Sequence, residues 1–94
     1  MSTNPQEAQA VLSDAIEALQ LARAYQQLAA EARSISAAAW QWLARCPEQC
    51  TPARVDALRA YAEAAEAADQ AAEDELSRAR ISAVSAACLL EVRP

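Results

Sequence analysis

The feature that most constrains this chain is the placement of its helix breakers. The sequence has no glycine, and its four prolines are Pro5, Pro47, Pro52 and Pro94. The two stretches between these prolines therefore contain neither residue that interrupts helices, and both are rich in alanine, the best helix former. The sequence predicts an all-α fold built from two long helices joined by one short turn.

Capping signals set the ends of the two helices. Asn4, Pro5 and Glu7 form a typical helix start, with a cap, a proline in the first turn and a carboxylate that reaches back. Thr51 and Pro52 repeat the pattern of a cap followed by a proline. We therefore expect each helix to begin at one of these two signals.

The resulting prediction is an antiparallel helical hairpin that forms a single domain over residues 1–94. Helix 1 is expected at about 5–45, the turn at 46–51 and helix 2 at about 52–92. The turn is too short to carry the chain far, so the two helices should be neighbours.

Apolar residues of helix 1 recur with the heptad spacing of a left-handed coiled coil. This predicted seam consists of Leu21, Tyr25, Leu28, Ala32, Ile35, Ala39 and Trp42. Helix 2 offers Leu58, Tyr61, Ala65, Ala68, Ala72, Leu76, Ala79, Ala83 and Leu90. We expect the large side chains of helix 1 to pack against the alanines of helix 2, with Trp42 in the core.

A second set of apolar residues lies off the predicted seam, at the end of the hairpin away from the turn. Its members are Leu12, Ile16, Leu19, Ile81, Val84 and Cys88. Because large apolar patches rarely stay exposed, we expect these residues to form the interface of a homodimer, a four-helix bundle. Two alternatives remain open: a break in helix 1 near residues 19–23, or ordinary packing within a small bundle.

The composition excludes most catalytic and metal chemistry. The sequence has no histidine, so a serine–histidine mechanism is excluded, and di-metal helical bundles need Glu-x-x-His pairs. Structural zinc needs four ligands, and Cys46, Cys50 and Cys88 are the only cysteines. We expect no cofactor, no structural metal and no enzymatic activity. Cys46 and Cys50 are expected to be reduced thiols in the turn, with a disulfide between them as the alternative in an oxidising compartment, and Cys88 a small buried apolar residue.

Two features are candidates for binding a protein partner. Trp40 lies beside the turn and off the predicted seam, where a tryptophan would either serve as an exposed anchor or cap the end of the bundle. Glu63, Glu66 and Glu73 belong to an acidic run in helix 2, which would attract a basic partner or simply face solvent.

Charge and hydropathy limit the remaining partners. The formal net charge is −5 and the sequence pI is about 4.6, which argues against nucleic acid and anionic membranes as partners. No apolar run is long enough to span a bilayer, and no basic segment precedes an apolar run at the N-terminus. We expect a cytoplasmic protein. Abundant alanine and arginine fit a GC-rich coding sequence, as in a bacterium or its phage.

The length, the acidity and the Trp40-Gln41-Trp42 segment resemble the Trp-x-Gly helical hairpins exported by type VII secretion systems. The glycine of that motif is missing, and so are the tyrosine and acidic residue of the export signal expected near Leu90. The resemblance is one of shape, and it implies a hairpin that pairs with a related chain. Small phage- and plasmid-encoded hairpins that bind host proteins are similar at the same coarse level.

The exclusion of catalytic and metal-binding sites favours one function. We expect a non-enzymatic helical module that binds a partner protein and regulates or inhibits it. The alternative is a structural or export-associated hairpin that pairs with a related chain.

Overall fold

A computed structural model of the chain describes residues 5–91, with side chains described for residues 5–90. It contains two long helices, α1 (Pro5–Arg45, 41 residues) and α2 (Pro52–Glu91, 40 residues), and a short 3-10 turn at Pro47–Gln49. The helices pack against each other as a hairpin. The predicted all-α hairpin is confirmed, and α1 runs without a break through residues 19–23. The expected cap at Asn4 and helix end at Val92 lie outside the described residues.

The turn is closed by backbone hydrogen bonds and by the predicted cap. The amide of Cys46 donates to the carbonyl of Trp42 at 2.9 Å, which completes the last turn of α1. Thr51 caps α2 because its hydroxyl accepts a hydrogen bond from the amide of Arg54 at 3.3 Å, and its carbonyl accepts one from the amide of Val55 at 3.0 Å. The cap-then-proline signal in the sequence therefore marks the start of α2, as predicted.

The contacts divide the chain into two compact units. The turn unit spans Tyr25–Ala71, and the terminal unit combines Met1–Ala24 with Ala72–Pro94. Both units contain a piece of each helix. Neither α1 nor α2 has an apolar stretch within residues 5–91 that could cross a bilayer.

Among the residues that the structure describes, every buried residue of the terminal unit is an alanine. Its buried residues are Ala8, Ala15, Ala18, Ala22, Ala72, Ala79 and Ala86. Alanine positions separated by seven residues recur in both helices, which is the coiled-coil repeat. Because a methyl group occupies so little space, the two helix backbones can approach to the short end of the usual 8–10 Å range.

The core of the turn unit continues the same repeat with two larger residues. Ala29 and Leu43 of α1 are buried, as are Leu58 and Ala65 of α2. Tyr25, Ala32 and Ala39 of the predicted seam are half-buried at this interface.

The predicted seam of helix 1 is wrong in register for three of its seven members, while Leu21 is half-buried. Leu28, Ile35 and Trp42 are 55%, 49% and 41% exposed. Each stands one residue before a position that faces the other helix, and one residue is about 100° around an α-helix. Small side chains at the contact line allow close packing of the helices, which moves the large side chains to the flank.

Candidate interaction surfaces

An open apolar groove runs along the turn unit. It has a volume of ≈ 510 Å³. Its large lining residues are Tyr25, Leu28, Ile35 and Tyr61, and its small ones are Ala32, Ala64, Ala67, Ala68 and Ala71. We call it the Leu28 groove. Its size falls within the range of ligand and peptide sites, and Glu31 is its one charged lining residue.

The two walls of the Leu28 groove differ in the size of their side chains. Leu28 and Ile35 project from α1 on successive heptads, so they form a ridge. The lining residues of α2, apart from Tyr61, are all alanines. The groove is therefore a ridge of large side chains beside a shallow floor of methyl groups.

One carboxylate of the acidic run, Asp69, forms an ion pair within the turn unit. Arg33 of α1 donates a hydrogen bond to the carboxylate of Asp69 in α2. This hydrogen bond and the charge of Asp69 raise the pKa of the Arg33 guanidinium above its usual value, with a smaller contribution from Glu66. The predicted acidic run is thus partly compensated by a cation from the other helix, which the sequence of α2 alone does not reveal.

The three carboxylates proposed for partner binding are all exposed. Glu63 and Glu66 lie in the turn unit, and Glu73 lies in the terminal unit. Within the described residues, no group of three or more acidic residues or cysteines is arranged to hold a metal ion.

Both tryptophans reach the surface of the turn unit. Trp40 is 45% exposed, as expected for a binding anchor. Trp42 was predicted to be core, but Leu43 occupies the buried position and Trp42 lies on the flank. There the guanidinium of Arg54 sits 5.6 Å from the centroid of the Trp42 ring, within the range of a cation–π contact.

Arg54 also ties α2 to the turn. Its Nη1 atom donates to the backbone carbonyl and to the side-chain Oε1 of Gln49, each at 2.8 Å. One arginine therefore links Trp42 at the end of α1, the 3-10 turn and the first turn of α2. The sequence does not predict this role of Arg54, because the role depends on a three-dimensional arrangement that residue spacing does not encode.

In the terminal unit, the expected interface residues of α1 lie on the flank of the alanine core. Ile16 directly follows buried Ala15, and Leu19 directly follows buried Ala18. Leu19 lines a shallow hollow of ≈ 280 Å³ together with Leu76 and Arg80 of α2. Leu12, Ile16 and Leu19 are 39%, 56% and 46% exposed, so the described residues leave about half of this surface open.

The expected interface residues of α2 lie on a different face. Ile81, Val84 and Cys88 each stand two residues from buried Ala79 or Ala86, about 200° around the helix. Ile81 and Val84 are 68% and 59% exposed and therefore point away from α1. The structure does not place these residues on the same flank as Leu12, Ile16 and Leu19.

All three cysteines are free thiols. Cys46 is half-buried, and Cys50 is exposed in the turn. Cys88 is also exposed, so the expectation that it is a buried apolar residue is wrong. The buried position next to it belongs to Ala86, again because alanine lines the helix contact.

A polar cluster completes the terminal unit. The hydroxyl of Ser82 donates to the carboxylate of Asp14 at 2.7 Å, and Arg78 lies 3.5 Å from the same carboxylate. Glu75 lies 3.2 Å from Arg78 on the same helix. The cluster links the two helices through Ser82, Arg78 and Asp14, but the buried Nε of Arg78 and Oε2 of Glu75 make no hydrogen bond.

Comparison of the chain with protein-family models, with curated proteins and with solved structures gives no match.

Proposed function

We propose that this chain is a non-enzymatic helical interaction module that binds another protein in the cytoplasm and regulates or inhibits it. One observation carries the proposal. The helices meet through alanines, while large apolar side chains such as Ile16, Leu28 and Trp40 remain about half exposed. Such surfaces are typical of proteins that bind other proteins.

Trp40 is the proposed anchor for the partner. A tryptophan that is 45% exposed can bury much additional apolar area when a partner covers it. The exposed carboxylates Glu63, Glu66 and Glu73 would assist by attracting a basic partner. Neither nucleic acid nor an anionic membrane fits a chain with a net charge of −5.

Affinity capture from the native host tests this proposal. The tagged chain, its Trp40→Ala variant and its Ile81→Ala variant are used as baits under identical conditions. We expect one protein to be retained by the wild type and by Ile81→Ala, and depleted at least about tenfold with Trp40→Ala. The activity of that protein should then change when the purified chain is added. Failure to retain any protein specifically, or equal retention by all three baits, would contradict the proposal.

The Leu28 groove also supports the alternative function, a structural or export-associated hairpin that pairs with a related chain. Its alanine floor gives room for another helix, and helix-in-groove binding is a common recognition mode. Capture of a second helical hairpin of similar length, encoded beside this one, would favour this alternative.

A further inference from the structure

We propose that a second copy of this chain covers the Leu28 groove. In the resulting homodimer, α1 of each copy packs on α2 of its partner in a four-helix bundle. The proposal concerns self-association, so it holds or fails independently of the regulatory function proposed above. It also places the dimer interface in the turn unit, whereas the sequence predicted it at Leu12, Ile16, Leu19, Ile81, Val84 and Cys88.

The groove is complementary to itself. One wall carries the ridge of Leu28 and Ile35, and the other carries the floor of Ala64, Ala67 and Ala71. A two-fold axis that runs along the helices places the ridge of each copy over the alanine floor of the other. Ridge and floor line the same groove, so they lie at the same height and need no shift to meet. Large side chains then fill the space above small ones, as close packing requires.

The other face-to-face arrangement is less favourable. A two-fold axis perpendicular to the helices would stack α1 on α1 and α2 on α2. Leu28 and Ile35 would then meet the same large residues of the partner, and the alanines would face each other across a gap. Unfilled space of this kind loses dispersion contacts, so the structure selects the axis that runs along the helices.

The exposed area of the single chain supports an additional interface. A compact monomer of 10.0 kDa exposes about 5,200 Å² according to the scaling of surface with mass. This chain exposes 6851 Å². The excess, about 1,600 Å², exceeds the roughly 800 Å² per partner that a standard stable interface buries.

The chemistry of the groove fits an apolar, self-associating surface. Its lining is made of alanine, leucine, isoleucine and tyrosine, with Glu31 as the single charged residue. Interface cores are depleted in charge and enriched in aromatic residues, and two tyrosines lie here.

A pair of alanine-to-glutamate variants tests the proposal. Ala64 lies on the groove floor, whereas Ala62 is exposed about 200° away on the same helix. Sedimentation velocity should show a wild-type dimer and a folded Ala64→Glu monomer, because the change buries a carboxylate in an apolar interface. We expect a dissociation constant at least about 100-fold weaker for Ala64→Glu. Ala62→Glu, with the same added charge, should remain a dimer.

Three results would overturn the proposal. They are a wild-type monomer at every concentration up to the solubility limit, a dimer that persists in Ala64→Glu, and equal dissociation of both variants. A wild-type monomer that dimerises only with a different hairpin chain belongs to the first of these results.

If Ala64→Glu fails to fold, the distance between two spin labels tests the proposed arrangement of the two copies. Replacing Cys46 and Cys88 with serine leaves Cys50, which is exposed in the turn, as the single labelling site. The proposed axis puts both turns at the same end of the bundle, so the two labels should lie within about 30 Å, given helix spacings of 8–10 Å. The perpendicular axis would separate them by about 50 Å, from the helix rise between groove and turn. A distance near the longer value would refute the proposed arrangement.

Discussion

Ala18, Ala29 and Ala86 are each 0% exposed, and no residue with a large side chain is fully buried among those described. Alanine loses no side-chain entropy on burial and allows the closest approach of two helices. The stabilisation per residue is small because a methyl group buries little apolar area. Close contact repeated along the seam must compensate for a core in which Leu43 and Leu58 are the only large side chains among the described residues.

Enlarging a core alanine should therefore destabilise the hairpin. Leucine at Ala29 would force the helices apart or adopt a strained rotamer, so we expect Ala29→Leu to lower the free energy of unfolding by about 1–3 kcal/mol. Its neighbour Ala30 is exposed, and Ala30→Leu should change the stability by no more than about 0.5 kcal/mol. Urea unfolding at one fixed protein concentration measures both values. A neutral Ala29→Leu would instead favour the seam predicted through Leu28.

The register of that seam shows the limit of sequence reasoning at this scale. The heptad period was predicted correctly, but the large residues Leu28, Ile35 and Trp42 were assigned to the contact line. A pattern of hydrophobicity gives more weight to leucine than to alanine. Packing also depends on how closely the backbones approach, and a run of alanines at heptad spacing offers a closer contact one residue further along.

The helices themselves follow directly from local rules. Pro52 begins α2 as the Thr51 cap predicted, and α1 runs through Pro5–Arg45 without a break as the missing helix breakers predicted. The turn was predicted in position but not in mechanism. Arg54 bonds to Gln49 and lies over Trp42, contacts that exist only once the chain has reversed direction.

The turn should depend measurably on Arg54. Arg54→Ala removes two hydrogen bonds to Gln49 and the cation–π contact with Trp42, all in an exposed region. We expect the free energy of unfolding to fall by about 1 kcal/mol. Arg59, another exposed arginine of α2, provides the matched control, and Arg59→Ala should have less effect. Chemical denaturation of the two variants under identical conditions makes the comparison, and equal losses would argue against a role for Arg54 in closing the turn.

For the whole molecule, an alanine core has a consequence for function. Large apolar side chains that the helix contact does not use become available on the surface, where they form the Leu28 groove and the flank around Leu19. A hairpin with a conventional core would bury them. The absence of catalytic and metal-binding residue patterns predicts an interaction protein. The position of the groove could not be predicted, because it depends on the register of the two helices.

The two candidate contacts for the partner make different kinetic predictions. Trp40 would act by burial, so Trp40→Ala should mainly raise the dissociation rate of the captured partner, by at least about tenfold, with little dependence on salt. Glu66 and Glu73 would act by long-range attraction. Reversing both charges to arginine should slow association, and the wild-type association rate should fall as salt screens the same charges.

Surface plasmon resonance at low and high salt separates these effects, with sedimentation confirming that each variant keeps its oligomeric state. We expect Trp40 to carry more of the affinity than the carboxylates, because water and salt weaken exposed charges, whereas burial of an aromatic ring excludes both. If the association and dissociation rates of the partner are unchanged by both sets of substitutions, the partner binds at another surface. The flank formed by Leu12, Ile16 and Leu19 would then be the surface to test, since these side chains are 39–56% exposed in the single chain.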